Sequence, residues 1–177
     1  MTPIVLTTLN ARYAHTALGL RYLYANMGEL QPMTKIIEFT MNEQIQSIAE
    51  DLLKHSPRII GIGVYIWNAS QCSELIQTLK KVSPQTVIVL GGPEAGHLPH
   101  RVDLSHADYI ISGEGEVAFY ELCKELLNPD SPVILGLDPG IHPQEKSWIP
   151  AYAGMTKTKP HFIKATLPDL KSIHLPY

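Results

Sequence analysis

The chain is poor in the residues that mark several large classes of protein. It has two cysteines in 177 residues, Cys72 and Cys123, both in segments of helical pattern. Two are too few for a disulfide framework or a four-cysteine metal site, and reduced thiols in a cytoplasmic protein are the expectation. Positive charge is not in excess. Fourteen Lys and Arg face 17 Asp and Glu, a formal net charge of -3, which leaves no electrostatic footprint for nucleic acid. No apolar run approaches the ~18 residues needed to cross a bilayer. The opening MTPIVLTTLN has no basic stretch ahead of an apolar one, so it does not read as a signal peptide. Repeats at solenoid spacing are absent. What is present is ordinary: 45% hydrophobic and 18% charged residues, in a chain long enough for one domain with a real core.

Proline is distributed unevenly. Half of the 14 prolines fall after residue 131, and a boundary is placed at Asn128-Pro129-Asp130-Ser131-Pro132. Residues 1–130 are patterned throughout. Residues 131–177 show no sustained periodicity and read as an irregular, Pro-rich tail.

Within the patterned part, strands and helices alternate. Ile4–Leu9 is a β-branched run suited to a buried strand. Apolar residues at Leu20, Leu23, Met27 and Leu30 then mark a helix across 16–30, with Pro32 as its stop. KIIEFT, residues 35–40, reads as a second strand. Asn42 can cap a helix with the stripe Ile45, Ile48, Ala49, Leu52 and Leu53. RIIGIGVYI, residues 58–66, is apolar on both faces, as a central parallel strand should be. Ser70 can cap a helix presenting Leu75, Ile76, Leu79 and Val82. TVIVL at 86–90 and residues 108–112 supply the fourth and fifth strands. A last helix carries Phe119, Leu122, Cys123 and Leu126 inward. This alternation predicts an α/β fold, a flavodoxin-like doubly wound sheet of five parallel strands in the order 2-1-3-4-5.

Such sheets bind ligands outside the carboxyl ends of their strands. The segments there are residues 10–16, 65–70, 91–96 and 113–116. They lack the clustered aspartates of a phosphoacceptor receiver and the hydroxyl-rich first loop of a flavodoxin. Gly61-Ile62-Gly63 lies within a strand, where glycine relieves crowding. Gly113-Glu114-Gly115-Glu116-Val117-Ala118 matches G-x-G-x-x-A, but it follows the last strand. Its two carboxylates would also repel a pyrophosphate at the helix N-terminus. The loops suit a large, mostly neutral, amide-decorated ligand. Glycines allow close approach, Tyr65 and Trp67 supply a flat wall, and Glu114 and Glu116 can accept from amide N–H groups. A valine at Gly113 is expected to block that approach while leaving the core intact. His97 and His100, around a proline, make an incomplete metal site, and no metal ligand is assigned.

Four segments together resemble a known family. They are LNARYAHTALGLRYLYA after the first strand, GIGVYIWN in the third, LGGPEAG after the fourth and ADYIISGEGEVAFYEL at the fifth. From about residue 3 to 127 the chain resembles the N-terminal cobalamin-binding domain of radical SAM proteins. That resemblance implies a corrin lying across the carboxyl ends of the strands. It assigns contacts to Asn10, Tyr65, Trp67, Asn68, Gly92, Pro93, Glu94, Gly113, Glu114 and Gly115. The Asp-x-His-x-x-Gly motif that places histidine on cobalt is absent: Tyr13 stands at the aspartate position, and Gly19 follows His15 one residue too late. No histidine coordination is therefore expected.

The three cysteines that hold a radical SAM 4Fe-4S cluster are not in this chain. The resemblance thus implies a binding module without the catalytic half, whose cluster and S-adenosylmethionine would sit in a radical SAM domain elsewhere, on a separate chain if need be. Residues 169–177 resemble the linker leading into such a domain. Residues 137–156 resemble the translation of short dispersed bacterial repeats, which suggests an interrupted gene. The alternative is a flavodoxin-like domain that binds no cofactor, an interaction domain or a remnant.

Overall fold

In a computed structural model of the chain, residues 2–11, 16–96, 101–128, 160–169 and 171–176 are described. One parallel sheet organises them. Its strands are β1 (Ile4–Asn10), β2 (Thr34–Thr40), β3 (Ile59–Gly63), β4 (Val87–Gly91), β5 (Tyr109–Ser112) and β6 (His161–Lys164). Their order is β2-β1-β3-β4-β5-β6. The helices are α1 (Leu18–Ala25), α2 (Ile45–Leu53), α3 (Ala69–Val82) and α4 (Gly115–Leu127). No helix among the described residues is long and apolar enough to cross a membrane.

Both faces of the central strands are covered, and alternation divides the apolar residues between two cores. Val5, Leu9, Ile60, Ile62, Ile88 and Leu90 meet α2 and α3 on one face. Ile4, Leu6, Ile59, Val89 and Ile111 meet α1 and α4 on the other. On α2 the residues turned inward are Ile45, Ile48, Ala49 and Leu52, all buried. Each fully buried Ile or Leu contributes about 1.5–3 kcal/mol. On α4 the buried residues are Phe119, Leu122, Cys123 and Leu126, as the spacing predicts. Gly61 is the narrow point of the second core: a Cβ there would lie 2.9 Å from both Leu6 Cδ2 and Phe119 Cζ. Burial pushes the Cys72 thiol up to about 12, so it packs as a small apolar group.

The structure corrects several local expectations. The helix predicted across 16–30 ends at Ala25, where Asn26 leaves helical geometry, and a 3₁₀ turn at Gly28–Met33 takes in Pro32. Asn42 and Ser70 are not the caps. Gln44 and Asn68 precede α2 and α3, neither with a side-chain cap bond. Val82 is 67% exposed, because it ends α3 beyond the sheet, and Cys72 takes the inward place.

The sheet also has six strands rather than five, the sixth drawn from the tail. β6 pairs with β5 from Tyr109–His161 to Ser112–Lys164, making a β5-α4-β6 unit. Beyond it, the Asn26 amide clasps His174, donating to its carbonyl at 3.0 Å and accepting from its N–H at 2.8 Å.

Candidate functional site

Parallel strands bring the carboxyl ends of β1, β3, β4 and β5 to one edge, and the loops leaving β1 and β3 run to opposite faces there. The β3 loop is the most firmly built. Val64 donates its N–H to the Gly91 carbonyl at 2.8 Å and accepts from Glu94 N–H at 3.3 Å, tying the β3 and β4 loops together. Asn68 is fully buried. Its amide N–H groups reach Leu9 O at 3.0 Å, Thr8 Oγ1 at 3.2 Å and Gly63 O at 3.3 Å. Its carbonyl accepts from Tyr65 N–H at 2.8 Å. Asn68 therefore holds the loop to β1 and presents no free polar atom to a ligand.

That anchoring displays two aromatic rings. Tyr65 and Trp67 stack at 4.7 Å between centroids with 5° between planes, and Trp67 is 47% exposed. Trp67 is thus an exposed slab rather than core lining. Burial first, then the Glu38 charge, holds the Tyr65 hydroxyl above its ordinary pKa, so it remains a proton donor.

The β4 and β5 loops turn on two glycines in the left-handed region, Gly92 with φ +97° and Gly113 with φ +99°. A Cβ at Gly92 would lie 2.6 Å from the Val64 carbonyl oxygen, and one at Gly113 would lie 3.1 Å from that of Ala165. Both glycines are exposed, as is Pro93. Valine at Gly113 would consequently strain the turn, contrary to the sequence expectation that folding would be untouched. The φ is unfavourable for a β-branched residue, and the strand extension after β6 occupies the space.

The acidic groups have different fates. Glu94 is drawn to Arg101, accepting its backbone N–H at 3.3 Å and pairing with its guanidinium at 3.8 Å. Glu114 is exposed at the N-cap of α4, and Gly115 begins that helix against Leu23. Glu116, in the first turn, has a buried Oε2 with no hydrogen-bond partner among the described residues. Asn10 donates its amide to Glu38 at 2.8 Å. Glu38 escaped the sequence reading, although a charge within the apolar run KIIEFT was a signal that something must satisfy it. Arg12, His15, His97 and His100 lie outside the described residues. Among the described residues no cluster of three or more His, Cys, Asp or Glu could hold a metal.

The edge thus combines an exposed aromatic slab, two tight glycine turns and the exposed carboxylate of Glu114. Those features fit a broad, partly apolar ligand bearing N–H donors. They do not suit a phosphate, which the carboxylates would oppose.

The chain is 29% identical over 97 residues to the cobalamin-dependent radical SAM methyltransferase TokK of Streptomyces tokunonensis, covering 52% of this chain and 14% of that enzyme. It is 32% identical over 78 residues to the 2-(S-pantetheinyl)-carbapenam-3-carboxylate methyltransferase of Streptantibioticus cattleyicolor, covering 42% of this chain and 12% of that enzyme. The chain therefore corresponds to a small part of either relative.

Among solved structures, a cobalamin-binding protein from Desulfitobacterium hafniense DCB-2 aligns with a TM-score of 0.47 at 14% identity, over 70% of this chain and 58% of that one. The cobalamin-dependent radical enzyme OxsB aligns at 0.49 and 18% identity, over 72% of this chain and 19% of that one. The B12 binding domain family matches residues 4–123, from the start of β1 into α4. With all four loops of the candidate site inside that match, the chain belongs to the family of B12 binding domains.

Proposed function

We propose that this chain binds cobalamin across the carboxyl edge of its sheet, as the corrinoid module of a cobalamin-dependent radical SAM enzyme. The observation that carries the reading is the stacked Tyr65–Trp67 pair, with Trp67 half exposed, on a loop tied through Val64 to the Gly92 turn. The slab offers the corrin an apolar face. Gly92 and Gly113 hold the β4 and β5 turns tight, and the corrin would lie over them, over the exposed Pro93 and over the start of α4 at Gly115. Asn10, Glu94 and Glu114 face its carboxamides, while Asn68 keeps the aromatic loop in place. When bound, cobalamin would supply methyl transfer or other radical chemistry beside S-adenosylmethionine. Such chemistry also needs an iron–sulfur cluster, which a radical SAM domain would hold.

The test is titration of the purified chain with hydroxocobalamin, followed by gel filtration and an absorbance spectrum of the protein peak. Co-elution of protein and corrin is expected. Trp67→Ala should weaken binding roughly tenfold while changing stability by under about 1 kcal/mol, since the ring is half exposed. A folded but colourless wild type, failing with methylcobalamin too, would leave a flavodoxin-like domain without a cofactor.

A further inference from the structure

We propose that Glu38 is a positioning residue of this site, whose one carboxylate staples the end of β1 to the start of α1 and orients the Asn10 amide toward a ligand. The inference rests on the cobalamin reading and deepens it by naming the ligand group that Asn10 would recognise. Glu38 lies on β2, opposite Thr8 in register, with its side chain 18% exposed. Its Oε2 accepts from Asn10 Nδ2 at 2.8 Å and from Ala17 N–H at 3.0 Å. Its Oε1 accepts from Arg21 Nη2 at 3.3 Å.

Two consequences follow from the chemistry of these groups. Ala17 is the N-cap of α1, has no side-chain oxygen, and is followed by a first turn without an acid. Glu38 supplies from another strand both the acceptor and the negative charge that a helix start favours. An ionised carboxylate only accepts, so the Asn10 amide must turn its NH₂ toward Glu38. Its carbonyl oxygen, without a protein partner among the described residues, is then the group left for a ligand. An acceptor at that point selects an N–H donor, a carboxamide rather than a carboxylate. The Arg21 pair is different: that side chain is 44% exposed, and such pairs contribute little.

The test uses the full chain and two readouts: hydroxocobalamin affinity, and amide exchange at Ala17 without corrinoid. Glu38→Ala should weaken affinity about tenfold and accelerate Ala17 exchange. Glu38→Gln keeps one oxygen able to accept from both Asn10 and Ala17, so it should stay within about twofold of wild type in both readouts. Arg21→Gln should do the same. A folded Glu38→Ala with wild-type affinity overturns the proposal, and so does a Gln variant as weak as the Ala one. Should Glu38→Ala not fold, Asn10→Ala decides, with affinity lost and Ala17 exchange unchanged; unchanged affinity there overturns the proposal. If the wild type binds no corrinoid, the functional reading fails. The staple is then judged by Ala17 exchange, and an unaltered rate in Glu38→Ala refutes it.

Discussion

Gly92 and Gly113 show how much of this edge is decided by single residues. Each turn reverses the chain from strand to loop through a positive φ, and each has a carbonyl oxygen where a side chain would begin. Gly113→Val should therefore lower unfolding stability by about 2 kcal/mol in urea titration, with binding falling alongside. A variant as stable as wild type would mean that the turn can relax away from Ala165. Asn68 teaches the complementary lesson. The resemblance implied a ligand contact there, but its amide is taken up by Leu9 O, Gly63 O, Thr8 Oγ1 and the Tyr65 N–H. No local pattern announces such partners, because they are brought near only by the sheet.

At the scale of elements, the strand order and helix faces were legible because burial imposes a period on the sequence. Central strands buried on both sides read as continuous apolar runs, and α4 repeats its apolar residues at helical spacing. β6 was not legible for the same physical reason. HFIK has an exposed, exposed, intermediate, exposed pattern, with only Ile163 resting on the core, so burial imposes no period on it. Its place is set by the free edge of β5, information that lies elsewhere in the chain. Gly61 offers a test of how tightly the elements fit. Gly61→Ala should cost about 2 kcal/mol by pressing Leu6 against Phe119. Adding Phe119→Leu should recover part of that loss, seen as a non-additive double-mutant cycle in urea midpoints. Strict additivity would place the strain elsewhere.

For the whole molecule, the sheet has two ends with different duties. Every loop of the candidate site leaves the carboxyl end, whereas α4 delivers the chain back to the amino end, where β6 begins beside β5. Residues 128–160 form that return connection. Comparable helix-to-strand connections are usually about 2–6 residues long. The entropy of closing a loop rises only with the logarithm of its length, about 0.6 kcal/mol per doubling. Deleting residues 137–156 should therefore change stability by about 1 kcal/mol or less and leave corrinoid affinity as it was. A collapse of either quantity would show that the segment packs as part of the fold. Were the deletion neutral, the β5-α4-β6 connection would be a place where the chain can change length while the sheet closes behind it, and the binding edge at the opposite end would not register the change.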